Sequence, residues 1–467
     1  MKYVLTLLFI GYTYFGFSQS IEESKILRFD EYLGFVKKFH PIVKQAELLI
    51  DESQAKLMKS RGAFDPKLDV DYSQKEFNNT GYYDKLNGTF KIPTWFGVEV
   101  KAAFDDNSGY YLNPESTVPD NGLYSAGVSV PLGQGLWINN RMAALKQAKL
   151  YREQAKLDRD ISVNTILYDA ALVYFKWLEA YNELKLFENI LGNAELRYTG
   201  IQKGVEVGEN AEIEATEARI AVNNRKLSLE QSKVKLMKAA LELSNFLWLE
   251  NNVPVELQPD IIPDVNSESI VDSTFDINQL RAQSSILEEH PKMLSLNYKL
   301  ESLDVERQLQ ANKLLPKINA EYNFLTEKPA VTQTFNTADY KGGLSISFPL
   351  FLRKERGDLK LAKIKQQDVA FEIDATRVSL QNKITALKQE LESYSIQNKI
   401  TLEMVSDYQK MLQAEERKFQ LGESSLFLVN SRESKLIDGQ LKAIAIQNKF
   451  FSTKAKLFNS LAVNPEL

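Results

Sequence analysis

The chain has no cysteine among its 467 residues. It therefore forms no disulfide, offers no thiol for catalysis and lacks the cysteine that carries the lipid of a bacterial lipoprotein. Histidine is almost absent too. His40 and His290 are the only two, and each precedes a proline, so a helix break is a simpler role for them than acid–base or metal work. No glycine-rich phosphate loop stands between a strand and a helix. Acidic pairs such as Asp69 and Asp71 share one face of a strand, where lining a wet surface is plainer than catalysis. No enzyme, cofactor or metal site is expected. Strong charge of one sign is also missing: the formal net charge is -5, with signs interspersed, which gives nucleic acid no electrostatic reason to bind.

Long apolar runs are lacking except at the start. Residues 1–18 hold one early lysine, Lys2, an apolar stretch, and small residues at Gly16 and Ser18. This reads as a signal peptide cleaved near Ser18; a retained anchor is the alternative, but the run is short. No later run reaches the ~18 or more apolar residues of a membrane helix. If the chain enters a membrane, it does so as a closed β-barrel, the other structure that satisfies its own backbone.

What is present is a repeat. Residues 21 to about 62 read as helix broken at His40 and Pro41, and residues 276 to about 313 as helix broken at His290 and Pro291. Each is closed by a further proline, Pro66 and Pro316, and both intervals from the first proline are 25 residues. Four similar landmarks at equal spacing indicate an internal duplication. Alternating strands follow. Leu68, Val70 and Tyr72 alternate with Asp69, Asp71 and Ser73; Ile318, Ala320, Tyr322 and Phe324 alternate with Asn319, Glu321 and Asn323. A period of two with acids and amides on one side suits a lipid-facing exterior around a wet lumen. Periodicity alone also fits a half-exposed soluble sheet. The return strands, 124–132 and 343–350, end at Pro131-Leu132 and Pro349-Leu350. Copy one holds two more alternating runs, 86–92 and 96–104, between polar segments at 78–85 and 105–121. This predicts four strands against two, with short turns on one side and long loops on the other.

Long helices complete each copy. From 139 to about 203, and from 354 to about 420, no proline intervenes. Seams recur along them: Tyr168, Ala171, Phe175 and Leu178; Leu380, Ile384, Leu387, Leu391 and Tyr394; and Val222, Leu229, Leu236 and Leu243 every seven residues. Such seams predict coiled-coil packing along the whole length. Both long helices turn at a glycine, within Val207, Gly208 and Glu209 and within Leu421, Gly422 and Glu423. Residues 251–273 are rich in proline and acids and read as a belt or linker.

Together these features resemble the TolC family of outer-membrane efflux proteins, over essentially the whole chain after the leader. The resemblance implies a mainly α fold with membrane β, in which a duplicated helix-strand-strand-helix unit builds a trimeric outer-membrane β-barrel continued by a periplasmic α-helical coiled-coil barrel. The expected division is a signal peptide at 1–18, a first repeat at 19–250 with strands at about 67–132, a linker or equatorial segment at 251–275, and a second repeat at 276–467 with strands at about 317–350. The implied partners are two further copies, outer-membrane lipid, a periplasmic adaptor of the membrane-fusion type, and an inner-membrane pump of the resistance-nodulation-division or ABC class. The implied role is the passive exit duct of a tripartite efflux system in a Gram-negative outer membrane; the outer-membrane part of type I protein secretion is the alternative. The resemblance implies adaptor contact at Val207, Gly208, Glu209, Leu421, Gly422 and Glu423. It likewise implies a periplasmic gate at Glu214, Glu217, Leu428 and Ser431, where the acids occur in copy one only.

Overall fold

The computed structural model describes residues 25–282, 287–327 and 336–464; the leader at 1–18 lies outside the described residues. In chain order, β1 (Lys25–Leu27) leads into α1 (Phe29–Phe39) and α2 (Pro41–Arg61). Four strands follow: β2 (Lys67–Phe77), β3 (Thr80–Pro93), β4 (Glu99–Ser108) and β5 (Leu123–Pro131). Then come α3 (Asn140–Glu206) and α4 (Glu212–Ser244). A connecting region holds β6 (Trp248–Leu249), β7 (Val253–Pro254), β8 (Ile261–Pro263), α5 (Glu268–Thr274) and α6 (Ile277–Ala282). Copy two is α7 (Pro291–Asn312), β9 (Lys317–Thr326), β10 (Tyr340–Ser347), α8 (Arg353–Gln420) and α9 (Leu426–Leu461).

The duplication extends to hydrogen bonds. Pro41 and Pro291 occupy the first helical positions of α2 and α7, where a missing N–H costs nothing. The preceding histidine caps each helix: His40 Nδ1 accepts from Ile42 N at 3.2 Å and His290 Nδ1 from Lys292 N at 3.1 Å. The opposite nitrogen of His290 meets the Ser460 carbonyl oxygen at 3.1 Å, which assigns the proton to Nε2 and leaves Nδ1 an acceptor. The His40 ring is likewise bonded to the Asn245 backbone. Ser460 and Asn245 end equivalent helices, α9 and α4.

Burial holds both imidazoles below the usual histidine range. A lowered folded pKa means that this stability is complete above the unfolded value of 6.5 and is lost as pH falls through the folded one. Protonation also removes the cap acceptor. We expect a thermal midpoint that drops between pH 7 and 5 by more in the parent than in a His40→Asn, His290→Asn variant, whose side chains cap without titrating. Equal slopes for both proteins exclude a histidine contribution.

All six long strands form one antiparallel sheet in the order β10-β9-β5-β4-β3-β2. Several boundaries depart from the sequence reading: the return strand expected at 343–350 is β10 at Tyr340–Ser347. Residues 25–27 are extended, not helical, because they pair in parallel with Ile261, Ile262 and Pro263. The polar segment 78–85 is no long loop: Asn78 and Asn79 take positive φ, forming the two-residue turn that asparagine permits, and β3 starts at Thr80. Similarly β4 runs on to Ser108, and the tight turn before it covers residues 94–98, closed by Thr94 N to the Val98 carbonyl at 2.9 Å.

The two longest helices, α3 with 67 residues and α8 with 68, extend roughly 100 Å at 1.5 Å per residue. The main core lies at mid-height, where α1 and the connecting region pack on α3 and α9. Phe29, fully buried, touches Tyr174, Phe175 and Phe275 at ring distances of 5.1 to 5.3 Å, and Phe275 stacks on Phe458 at 4.5 Å. Residues 251–273 are thus not a free tether: Leu257 and Val271 belong to this core.

In cross-section the helices follow one another as neighbours in a row. Near the sheet the order is α2, α3, α7, α8; beyond mid-height it is α4, α3, α9, α8. One end of the row is therefore α8 and β10, and the other is α2, β2 and α4.

Candidate functional site

The end of the rod away from the sheet is made by two turns with the same hydrogen-bond pattern. After α3, Gly208 takes φ +81°, Glu209 N donates to the Gly204 carbonyl at 2.8 Å and Gly208 N to that of Val205 at 3.1 Å. After α8, Gly422 takes φ +76°, Glu423 N donates to Lys418 at 2.9 Å and Gly422 N to Phe419 at 3.0 Å. This pair of bonds is the glycine-terminated helix end, and the left-handed φ is the reason for glycine at both places. Val207, Glu209, Leu421 and Glu423 are all exposed around the two glycines. The turns differ after the glycine. In copy two Ser425 caps α9 through Leu428 N. In copy one the helix has no side-chain cap, and Glu212 and Glu214 in the first turn meet the positive end of its dipole.

The four sequence-predicted gate residues sit in the first turns after these glycines. Leu428 and Ser431 are exposed, and Glu214 and Glu217 half-buried. Both acids have partners within the chain. Glu214 accepts from Asn210 Nδ2 at 2.7 Å, and Glu217 from Asn430 Nδ2 of α9 at 3.1 Å.

Asn430 leads to a network that the sequence reading missed. Glu433 on α9 is 3% exposed, with Arg197 of α3 at 3.0 Å and Arg225 of α4 at 3.4 Å. Arg197 also reaches Asn430 and, at 3.3 Å, Glu416 of α8, so this one cluster ties together all four helices of the distal row. Nearby, the Ser424 hydroxyl and Arg432 hold the Glu415 carboxyl below its usual range. A signal for the network was available. Glu433 interrupts the apolar seam of Leu426, Val429 and Leu436, and Arg197 that of Ile190, Ala194 and Ile201.

At the other end the register assigns two faces to the sheet. Leu68 pairs with Phe90, Phe90 with Ala102, Ala102 with Ala126, and Ala126 with Phe324, so apolar residues face one way across every strand. The opposite face carries paired charges, Lys91 with Asp69 at 2.9 Å and Lys101 with Glu321 at 3.3 Å, and Arg141 bonded to Glu99 at its lower rim. One apolar band backed by a hydrated ion-pair ladder is the pattern of a membrane-spanning β-wall. No helix among the described residues is long and apolar enough to cross a membrane.

Residues 282–462 match the family model described as outer membrane efflux protein. The second half of the chain is thus similar to the outer membrane efflux protein family. The solved structures it resembles share the fold over nearly its full length. The CmeC outer membrane channel of Campylobacter jejuni is 12% identical with a TM-score of 0.64, covering 93% of this chain and 85% of that one. The MtrE outer membrane channel of Neisseria gonorrhoeae, solved in an open state, is 13% identical with a TM-score of 0.65, covering 93% and 89%. The outer membrane protein VceC of Vibrio cholerae is 13% identical with a TM-score of 0.63, covering 93% and 96%. No curated protein matches in sequence. Both the family description and these solved channels name the outer membrane, and the apolar band of the sheet fits such a membrane.

Proposed function

We propose that three copies close head to tail into one tube that spans the outer membrane with its sheets and crosses the periplasm with its helices. It passively conducts substrate handed over by a periplasmic adaptor and an inner-membrane pump of the resistance-nodulation-division or ABC class. The observation that carries this is a pair of unlike free ends with apolar stripes. On α4, Ile213, Ile220, Leu227, Val234 and Leu241 recur every seven residues and are all exposed. Along α8, Leu361, Ile364, Phe371, Val378, Ile396 and Ile400 are exposed as well. A heptad seam facing water lacks its partner helix, and pairing two different ends makes a heterologous contact, which gives a ring when the rotation between copies closes. Within each copy, 19–250 and 276–467 act as the two repeats and 251–275 as the belt that joins them.

An Ile220→Glu, Leu227→Glu variant places charge in that seam. The parent should run as a trimer by light scattering in detergent and resist alkaline extraction from outer-membrane fractions, whereas the variant should be mainly monomeric. A parent that is monomeric, or that is recovered in the soluble periplasm, sinks the proposal.

The adaptor would meet the exposed turn residues Val207, Gly208, Glu209, Leu421, Gly422 and Glu423. The gate would be formed by Glu214, Glu217, Leu428 and Ser431 around the threefold axis. Three copies bring two acids each to a narrow mouth, and like charges there favour cations and let divalent ions block. In planar bilayers a Glu214→Gln, Glu217→Gln variant should lose cation selectivity and divalent block. Unchanged selectivity places both acids off the axis.

A further inference from the structure

By the proline landmarks β2 and β5 are the counterparts of β9 and β10. The latter two pair directly, whereas β3 and β4 are inserted between the former. The inserted hairpin carries the same two faces as its neighbours: Phe90 and Ala102 lie on the apolar side, Lys91 and Lys101 on the charged side. Its ladders to β2 and β5 run the length of the strands. Both sheet edges, β2 and β10, are exposed along every residue, and among the described residues neither has an outer neighbour. In lipid such edges must be paired.

The register also fixes the slope. From Lys67 the ladder passes level through Lys91, Lys101, Gly127 and Asn323 to Lys341, six residues from the lower end of β10 at Ser347. Six residues at about 3.3 Å each, set against five strand steps of about 4.8 Å, tilt the strands by about 40°. Spanning barrels have tilts of about 35–45°.

We propose that the inserted hairpin spans the membrane and that β10 of each copy pairs with β2 of the next, so that the exit is an 18-stranded barrel, three chains of six strands. It rests on the trimeric reading above. Barrel diameter grows about linearly with strand number, so this exit is about one and a half times as wide as it would be without the hairpin. At their lower ends adjacent strands are offset by zero or two residues. Continuing that pattern sets Ser345 opposite Asp69 or Asp71 of the neighbouring copy, charged face to charged face.

The cysteine-free chain makes the test direct. In lipid vesicles Ala103→Cys should react with a water-soluble thiol reagent and Ala102→Cys should not. In whole cells a bulky impermeant reagent should label Tyr110→Cys and leave Thr94→Cys untouched. A variant joining Ser345→Cys with Asp69→Cys or Asp71→Cys should give a disulfide-linked trimer on oxidation. Equal reaction at Ala102→Cys and Ala103→Cys, or labelling of Thr94→Cys in intact cells, puts the hairpin outside the membrane and overturns the proposal. A trimer by light scattering without either cross-link overturns the seam alone. A monomer that keeps the alternating labelling pattern overturns the trimeric reading, and the count of 18 with it, while six strands per chain survive.

Discussion

Replacing Glu433 by alanine is expected to destabilise the distal end of the helical rod by about 3–5 kcal/mol, the range for removing one partner of a buried ion pair. The Glu433 side chain is 4% exposed and its carboxylate serves two guanidinium groups. Arg197 would keep Glu416 and Asn430. Arg225, whose Nε already lacks a hydrogen bond, would keep only Ser434 at 3.4 Å. The loss should appear as faster amide exchange in the first turns of α9 and as proteolytic cutting near Gly208 and Gly422, with the mid-height core unaffected. Glu433→Gln retains the shape and an acceptor and should lose less. Changing Glu433, Arg197 and Arg225 together to leucine should recover most of the stability, since apolar replacements of whole buried clusters often do. If the alanine variant exchanges and digests like the parent, the cluster is not holding the four helices together.

The second large effect belongs to the sheet. Val128→Arg puts a cation into the apolar band, where its cross-strand neighbours are Val100 and Tyr322; the expected cost is about 2–4 kcal/mol. One residue along, Ser129 lies between Glu99 and Glu321 in the ladder. An arginine there points into water and finds carboxylates on both sides, so Ser129→Arg should be close to neutral. Urea unfolding in lipid vesicles separates the two. Equal destabilisation by both substitutions would falsify the assignment of faces.

The contrast shows which parts of the molecule the sequence encodes in the open. A strand's faces follow from a period of two and a helix's seam from a period near 3.6, and both are local, so Leu68 with Val70 and Phe175 with Leu178 could be read directly. The duplicated turns were equally legible, because glycine is the residue that takes the left-handed φ they need without strain. Boundaries set by pairing were not. Asn78 and Asn79 look like loop until β3 is known to return beside β2, and residues 25–27 are extended only because β8 lies alongside. The Glu433 cluster was hidden for a different reason. Its members come from four helices, and each looks alone like one of many solvated charges; only their places in apolar seams set them apart. Glu214 and Glu217 were legible as acids in the first turns after Gly208, while the bond of Glu217 to Asn430 depends on where α9 lies.

The inserted hairpin also bears on how the two materials of the wall are joined. Four helices side by side, at about 8–10 Å each, cover an arc of roughly 32–40 Å. Six strands about 4.8 Å apart and tilted by about 40° cover roughly 37 Å, whereas four would cover only about 25 Å. With the hairpin in place, the perimeter of the sheet equals that of the rod beneath it, so the strands run into the helices without a shoulder. In the proposed 18-stranded tube the water column would keep a constant bore from mid-height to the cell exterior, and resistance to flow would concentrate at the far end, around Gly208 and Gly422.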